Sequence, residues 1–313
     1  MVGFPPESEP QDIRAYAKQA KAHNTHRAYD ADWRDFEKYL KKLGRSALPA
    51  SPDDVARYLR NLIERRRLKI ATVTRRLAAI ADKHKGNGCD SPCDDWVVKN
   101  TLRRLRAEYG HPSHGKAPLV TKDLKRLLGV VPPTLVGARD RAILLLGFAG
   151  AMRRSDIVNL DFQDLALAPE GLVVSIKKGK TDQARKGRKI GIPYGTNEST
   201  CPVRAVIHWL ELTGIVDGPL FRGITKHGAL RTERLSNQVV AIIVKQYLKV
   251  LGESATRFSA HSLRAGFITA AAVAGVPDRI IQDQSGHKSI MTLRRYIRDA
   301  CIFRTNAASK VGL

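Results

Sequence analysis

Between His261 and Tyr296 the chain reads HSLRAGFITAAAVAGVPDRIIQDQSGHKSIMTLRRY, and the residue types able to do chemistry gather there. The segment holds an H-x-x-R pair (His261, Arg264), an alanine-rich apolar run and a Gly-His step (Gly286, His287). Nine residues past that histidine stands Tyr296, framed by Arg294, Arg295 and Arg298. A phenol ionises near pH ~10, so at neutral pH it is a poor nucleophile unless neighbouring charges favour phenolate character or the transition state it forms. Attack on a phosphodiester builds negative charge on the non-bridging oxygens, and fixed Arg and His donors stabilise it. His261 and Arg264, one helical turn apart, are predicted to share a face and grip one phosphate together. Arginine suits this because its planar fork is always charged and can bind phosphate bidentately. Singly, each residue is more simply a packing or surface residue. The ordered set is far more specific and points to a tyrosine nucleophile acting on a phosphodiester.

Two earlier stretches supply further cations. Ala151-Met152-Arg153-Arg154-Ser155-Asp156 directly follows AILLLGFAG, a run apolar almost all round and therefore a buried helix. Charges abutting such a helix need a reason, because an unpaired buried cation is costly, and a bound phosphate supplies one. The simpler alternative is a solvated helix start in which Arg153 and Arg154 pair with Asp156. Residues 171–194 read as two strands, LVVSI and RKIGIP, joined by KKGKTDQARKG. Lys177, Lys178 and Lys180 thus lie at or near a hairpin tip, where an electrostatic tether to DNA accounts for several of them.

With R-x-S-D-I-x-x-L upstream, the set H-x-x-R, G-H and Tyr resembles the catalytic signature of the tyrosine recombinase (phage integrase) family, and is similar to its Cre-type enzymes. The resemblance implies a site-specific DNA recombinase with Tyr296 as nucleophile, leaving a 3′-phosphotyrosyl bond and a free 5′ hydroxyl. Arg153 matches the family's first catalytic arginine and Asp156 its supporting acidic position. Arg264, His261 and His287 complete the charge-stabilising group, and Lys180, with Lys178 as second choice, is the general acid on the departing 5′ oxygen. It implies no cofactor, since each step trades one phosphodiester for another without ATP, and no metal. It also implies double-stranded DNA sites as partners, a monomer in free solution, and four protomers on two sites passing through a four-way junction. The C-terminal tail, 297–313, is expected to dock into a neighbouring protomer. Two other classes stay open: a type IB topoisomerase-like enzyme relaxing DNA as a monomer, and a non-catalytic DNA-binding regulator on the same scaffold.

The global numbers point the same way. A length of 313 residues suggests two ordinary domains, and 54 Lys+Arg against 30 Asp+Glu gives a formal net charge of +24, the footprint of a polyanion binder. No apolar run approaches the ~20 residues needed to span a bilayer, and the N-terminus lacks the segments of a signal peptide, so an intracellular protein at the nucleoid is expected. Four cysteines without a dense framework fit a reducing compartment. Cys89, Cys93, His111 and His114 depart from zinc-finger spacing, and no metal site is expected.

The elements that must position these residues follow from periodicity and punctuation. The fold class is mainly α: a leader (1–10), an N-terminal helical core-binding domain (11–110), a linker (111–117), and a mostly helical catalytic domain (118–313) with a small antiparallel β-hairpin. Tyr29, Trp33, Phe36, Leu40 and Leu43 make one stripe on a helix that Gly44 ends. Ser51-Pro52 starts a second helix with Val55, Leu59, Leu62 and Ile63 inside. Helices from about Ile70 to Lys85 and from Asp95 to Tyr109 complete a four-helix bundle. Its cations Arg65, Arg66, Arg67, Lys69, Arg75, Arg76, Lys83, Arg103 and Arg104 are expected DNA contacts, with Arg154, Lys177, Lys178, Arg294 and Arg295 from the second domain. Thr121 is expected to cap a helix there, residues 214–234 to form loops, and Ser236 to about Leu251 a helix with Val239, Ile243 and Leu248 inside.

Overall fold

The computed structural model describes residues 23–111, 116–177 and 187–300. Contacts divide the chain into two units, residues 1–113 and 114–313. The expected leader, most of the linker, the hairpin tip with Lys178 and Lys180, and the tail beyond residue 300 lie outside the described residues.

Among the described residues the first unit is a bundle of four helices: α1 (His23–Lys41), α2 (Pro52–Arg60), which runs into a π-helical turn (Asn61–Arg65), α3 (Ile70–Gly86) and α4 (Trp96–Tyr109). Ser51 caps α2 by accepting from the Asp54 N–H at 3.2 Å, with Pro52 at the first helical position. Asp95 caps α4 through the Val97 N–H at 2.7 Å. Trp33, Phe36, Leu40, Val55, Tyr58, Leu59, Leu62, Val73, Ile80, Val98, Leu102 and Leu105 form the core. Leu43 does not join them and is half exposed, because α1 stops at Lys41 and the left-handed Gly44 (φ 67°) turns the chain away.

Most buried polar groups here are paired, Arg76 Nε being an exception. The His84 ring accepts from the Ala50 N–H through Nε2 at 3.0 Å, and its Nδ1 lies 2.8 Å from the Ile80 carbonyl, fixing the loop before α2 against α3. Asp32, 3% exposed, takes Arg75 at 2.8 Å. Asp35 takes Arg66 at 2.7 Å, the Tyr58 hydroxyl at 2.7 Å, and Arg76. Three expected DNA contacts, Arg66, Arg75 and Arg76, are therefore engaged within the bundle. Arg65, Arg67, Lys69, Lys83 and Arg103 stand exposed, as does Arg104, which pairs loosely with Glu108 at 3.8 Å. No helix among the described residues is long and apolar enough to cross a membrane, and none of their His, Cys, Asp and Glu groups could hold a metal ion.

The second unit is built around α6 (Leu135–Ala149), capped by Thr134, after a short α5 (Thr121–Gly129). Thr121 is the first residue of α5 rather than its cap; Val120 holds that place and supplies no side-chain hydrogen bond. Ile143, Leu144 and Leu146 on α6 are fully buried, and its two charged side chains inside are satisfied: Arg139 donates to Asp140 at 2.8 Å, and the Tyr247 hydroxyl donates to the same carboxylate at 2.9 Å.

After α7 (Arg154–Val158) comes an antiparallel sheet β1-β2-β3, with β1 Leu165–Ala168, β2 Gly171–Ile176 and β3 Arg188–Pro193. Val174 pairs with Ile190 and Ile176 with Arg188. The expected hairpin thus gains a third strand, whose LALA stretch is too short to announce itself. The expected loops at 214–234 contain a second sheet, β4 (Arg222–Ile224) and β5 (Leu230–Arg234), whose mostly polar residues show no apolar alternation. Helix α8 (Pro202–Thr213) precedes it and α9 (Asn237–Val250), capped by Ser236, follows. Val239 is only half-buried; Val240 and Val244 take the inner face with Ile243 and Leu248.

Three helices close the unit: α10 (His261–Val273), α11 (Asp278–Ser285) and α12 (Ile290–Ala300). Gly266 sets the seat of α10, since a Cβ there would fall 1.8 Å from the Leu119 carbonyl oxygen. Backbone bonds Ala117 N–H to Arg257 O (2.8 Å) and Leu119 N–H to Ser262 O (2.9 Å) fix the same contact.

Candidate active site

The first turn of α10 carries His261 and Arg264. Arg264 is 1% exposed, among the most buried large side chains in the protein. Its Nη1 donates to the Ala151 carbonyl at 2.6 Å and the Ser285 carbonyl at 2.5 Å, and its Nη2 lies 3.1 Å from His287 Nδ1. No carboxylate among the described residues bonds to it. Burial, then the charges of Arg153 and Arg188, push it down to about 9, still cationic at neutral pH. Ala151, whose carbonyl Arg264 holds, has a left-handed backbone (φ 46°), rare for a residue with a Cβ. That turn delivers Arg153 to the start of α7.

Arg153 occupies the N-cap of α7, its N–H donating to Asp156 Oδ2 at 3.3 Å and its Nη1 3.8 Å from the same atom. Asp156, 2% exposed, is held from the other side by the Ser155 hydroxyl at 3.3 Å. The ion pair that offered a simple explanation of Arg153 is thus long, and the carboxylate orients the loop. Arg154 points away and is exposed.

His287 follows Gly286, which ends α11 in the left-handed conformation (φ 64°). Its Nδ1 is 2.8 Å from the Ser285 hydroxyl, and the Gln282 side chain donates to its carbonyl at 2.8 Å. Burial first, then Arg264, Arg153, His261 and Arg188, push its pKa down to about 4, so the ring is neutral at pH 7.

Tyr296, on α12, packs half-buried against a small cluster of Ile268, Ala272, Ile281 and Leu293. Its hydroxyl lies 2.8 Å from His261 Nε2, and its ring centroid is 6.1 Å from that of His261 and 6.4 Å from that of His287. The hydroxyl therefore faces the cations. Loss of hydration, then Arg264 and Arg153, lower the His261 pKa from its ordinary value. The expected joint grip of His261 and Arg264 on one phosphate takes a different form: His261 meets the phenol, and Arg264 lies beneath with His287.

Of the other expected phosphate contacts, Lys177 bonds Asp164 at 2.6 Å, which raises its pKa, and Arg294 pairs with Asp278 at 3.2 Å. The side chain of Arg295, like Lys178 and Lys180, falls outside the described residues. The sequence reading missed Arg188, whose charge acts on both Arg264 and His287. A signal existed: in RKIGIP it shares the two-residue period of the inward-facing Ile190 and Ile192, placing a cation on a buried strand face.

Comparison with known proteins extends the likeness to nearly the whole chain. Residues 119–301 match the model of the phage integrase family, and residues 13–86 that of the phage integrase N-terminal SAM-like domain. An integrase/recombinase XerD homologue of Selenomonas ruminantium is 37% identical over 298 residues, covering 94% of this chain and 87% of that relative. The Cre recombinase of Escherichia phage P1 is 23% identical, covering 90% and 86%. Among solved structures, the Tn1549 transposon integrase in complex with transposon right end DNA superposes with a TM-score of 0.65 at 18% identity, covering 95% of this chain and 98% of that one. The XerH recombinase bound to its palindromic difH substrate gives 0.61 at 20% identity, covering 84% and 72%. A family match over more than half the chain, laid on a phenol that faces buried arginines, identifies this chain as a member of the phage integrase family of tyrosine recombinases.

Proposed function

We propose that this chain is a site-specific DNA recombinase that cuts and rejoins double-stranded DNA through Tyr296. The observation that carries the reading is the 2.8 Å contact between the Tyr296 hydroxyl and His261 Nε2, beside Arg264, whose guanidinium bonds no carboxylate among the described residues. A neutral His261, in the tautomer with its proton on Nδ1, accepts the phenol proton. The phenolate oxygen bonds to phosphorus, the bond from phosphorus to the 5′ oxygen breaks, and Lys180 returns a proton to that oxygen. Arg153, Arg264 and the N–H of His287 take up the charge on the non-bridging oxygens. Asp156 orients Arg153.

The free 5′ hydroxyl of a partner strand then attacks the phosphotyrosyl bond, so the number of phosphodiesters is conserved and no ATP is required. Two such rounds through a four-way junction call for four protomers on two sites, assembled from monomers on DNA, and the work belongs at the nucleoid. The exposed cations Arg65, Arg67, Lys69, Lys83, Arg103, Arg104 and Arg154 bind duplex phosphates, while Arg66, Arg75 and Arg76 serve the bundle. A plasmid with two target sites should resolve into two circles. Relaxation of a one-site supercoiled circle without resolution would instead make this a topoisomerase.

A further inference from the structure

Arg188 has no assigned part in the mechanism above, yet its surroundings require one. It stands at the end of β3 opposite Ile176, where the pair of strands β2 and β3 opens, on the inward face with Ile190 and Ile192. Its Nη1 donates to the Gln284 carbonyl at 2.7 Å. Its guanidinium lies against Gly286, where a Cβ would fall 2.8 Å from Nε and 2.9 Å from Cζ, and the left-handed backbone there (φ 64°) favours glycine. Its Nη2 is buried and has no hydrogen-bond partner. Asp156 acts on it at a distance but forms no ion pair with it, and the cations that act on it are Arg153 and Arg264.

A buried donor without an acceptor costs roughly 1–3 kcal/mol, more when charged, and native proteins keep few of them. Arg153 and Arg264 act on it and no carboxylate among the described residues bonds to it, so a bound anion supplies the missing acceptor. We propose that Arg188 is a further catalytic residue, whose Nη2 donates to a non-bridging oxygen of the phosphate attacked by Tyr296, beside Arg153 and Arg264. The proposal rests on the recombinase reading. The contact forms as bound DNA turns the guanidinium, a side-chain rotation that leaves the strand register intact.

The test compares single-turnover cleavage of a nicked duplex carrying either an ordinary phosphodiester or a neutral methylphosphonate at the scissile position. Arg188→Ala should slow the phosphodiester reaction by about 10²-fold, the scale of removing one oxyanion donor. On the methylphosphonate, which carries one unit of negative charge fewer, the deficit should shrink to within about threefold of wild type. An equal deficit on both substrates would overturn the proposal and leave Arg188 as a prop for the Gly286–His287 turn. So would a phosphodiester rate within about threefold of wild type. If the alanine variant does not fold, Arg188→Lys, which keeps the stem and charge but loses the fork, is read by the same criteria. Absence of any Tyr296-dependent adduct with the wild-type protein would remove the recombinase reading itself.

Discussion

The N-terminal bundle and the active site use arginine in opposite ways. In the N-terminal bundle, Arg66, Arg75 and Arg76 each meet a carboxylate, Asp32 or Asp35, and Arg45 meets Asp54. In the catalytic unit, the most buried guanidinia of the site, Arg264 and Arg188, donate to backbone carbonyls and leave their charge without an ion-paired carboxylate. A paired cation ties elements together and is finished when the chain folds. An unpaired one, held among like charges, holds a place for an anion. The same residue type thus builds the scaffold in one unit and the site in the other, and local sequence does not say which: Arg75-Arg76 and Arg153-Arg154 look alike in a string of letters.

The contrast breaks most sharply under mutation. The largest effect is expected from Tyr296→Phe, which should abolish covalent adduct while DNA affinity stays within about threefold, because one hydroxyl is lost and no charge. Covalent adduct from that variant would place the nucleophile elsewhere. Arg264→Ala should cost at least ~10²-fold in single-turnover cleavage. Arg76→Ala should do the reverse, leaving cleavage by the folded protein near wild type but lowering the urea midpoint. Its cost is expected at about 2 kcal/mol, below the ~3–5 of a fully uncompensated buried charge, since Asp32 and Asp35 keep Arg75 and Arg66. Equal behaviour of the two variants in both assays would erase the distinction.

A smaller effect concerns pH. The lowered pKa of His261 leaves its ring less protonated in mild acid than an ordinary histidine, so the acid limb of the cleavage rate should lie at lower pH than that of an ordinary histidine base. For His287, folded at about 4 against an ordinary 6.5, the stability tied to its neutral form is complete above pH 6.5 and is lost as pH falls toward 4. His287→Asn should flatten that part of the stability profile. The smallest effect is on salt: Arg103→Ala, an exposed cation with no role in the bundle, should reduce the slope of log affinity against log salt by about 0.9, without changing cleavage at saturation.

Much of the catalytic unit was legible because its signals are local. The H-x-x-R pair, the Gly-His turn and Tyr296 lie within one segment, and in the bundle Ser51-Pro52 marks a helix start by residue type, although Thr121 does not hold the cap its type suggests. What escaped depends on distant partners. The β4–β5 pair has no alternation to betray it, and Leu43 reads as core until the chain turns at Gly44. Arg66, Arg75 and Arg76 read as DNA contacts because Asp32 and Asp35 meet them only across the bundle. Arg188 went unnoticed because its unmatched donor appears only when β3 lies against Gly286.

The central claim is that the Tyr296 phenol, held by His261, is the atom that takes the DNA phosphate. A nicked suicide duplex incubated with the full chain, digested and sequenced by mass spectrometry, tests it most directly. The account predicts a single adduct in which the 3′-phosphate end of the cut strand is bonded to Tyr296. An adduct on any other side chain, or one bonded through the 5′ end, would contradict it.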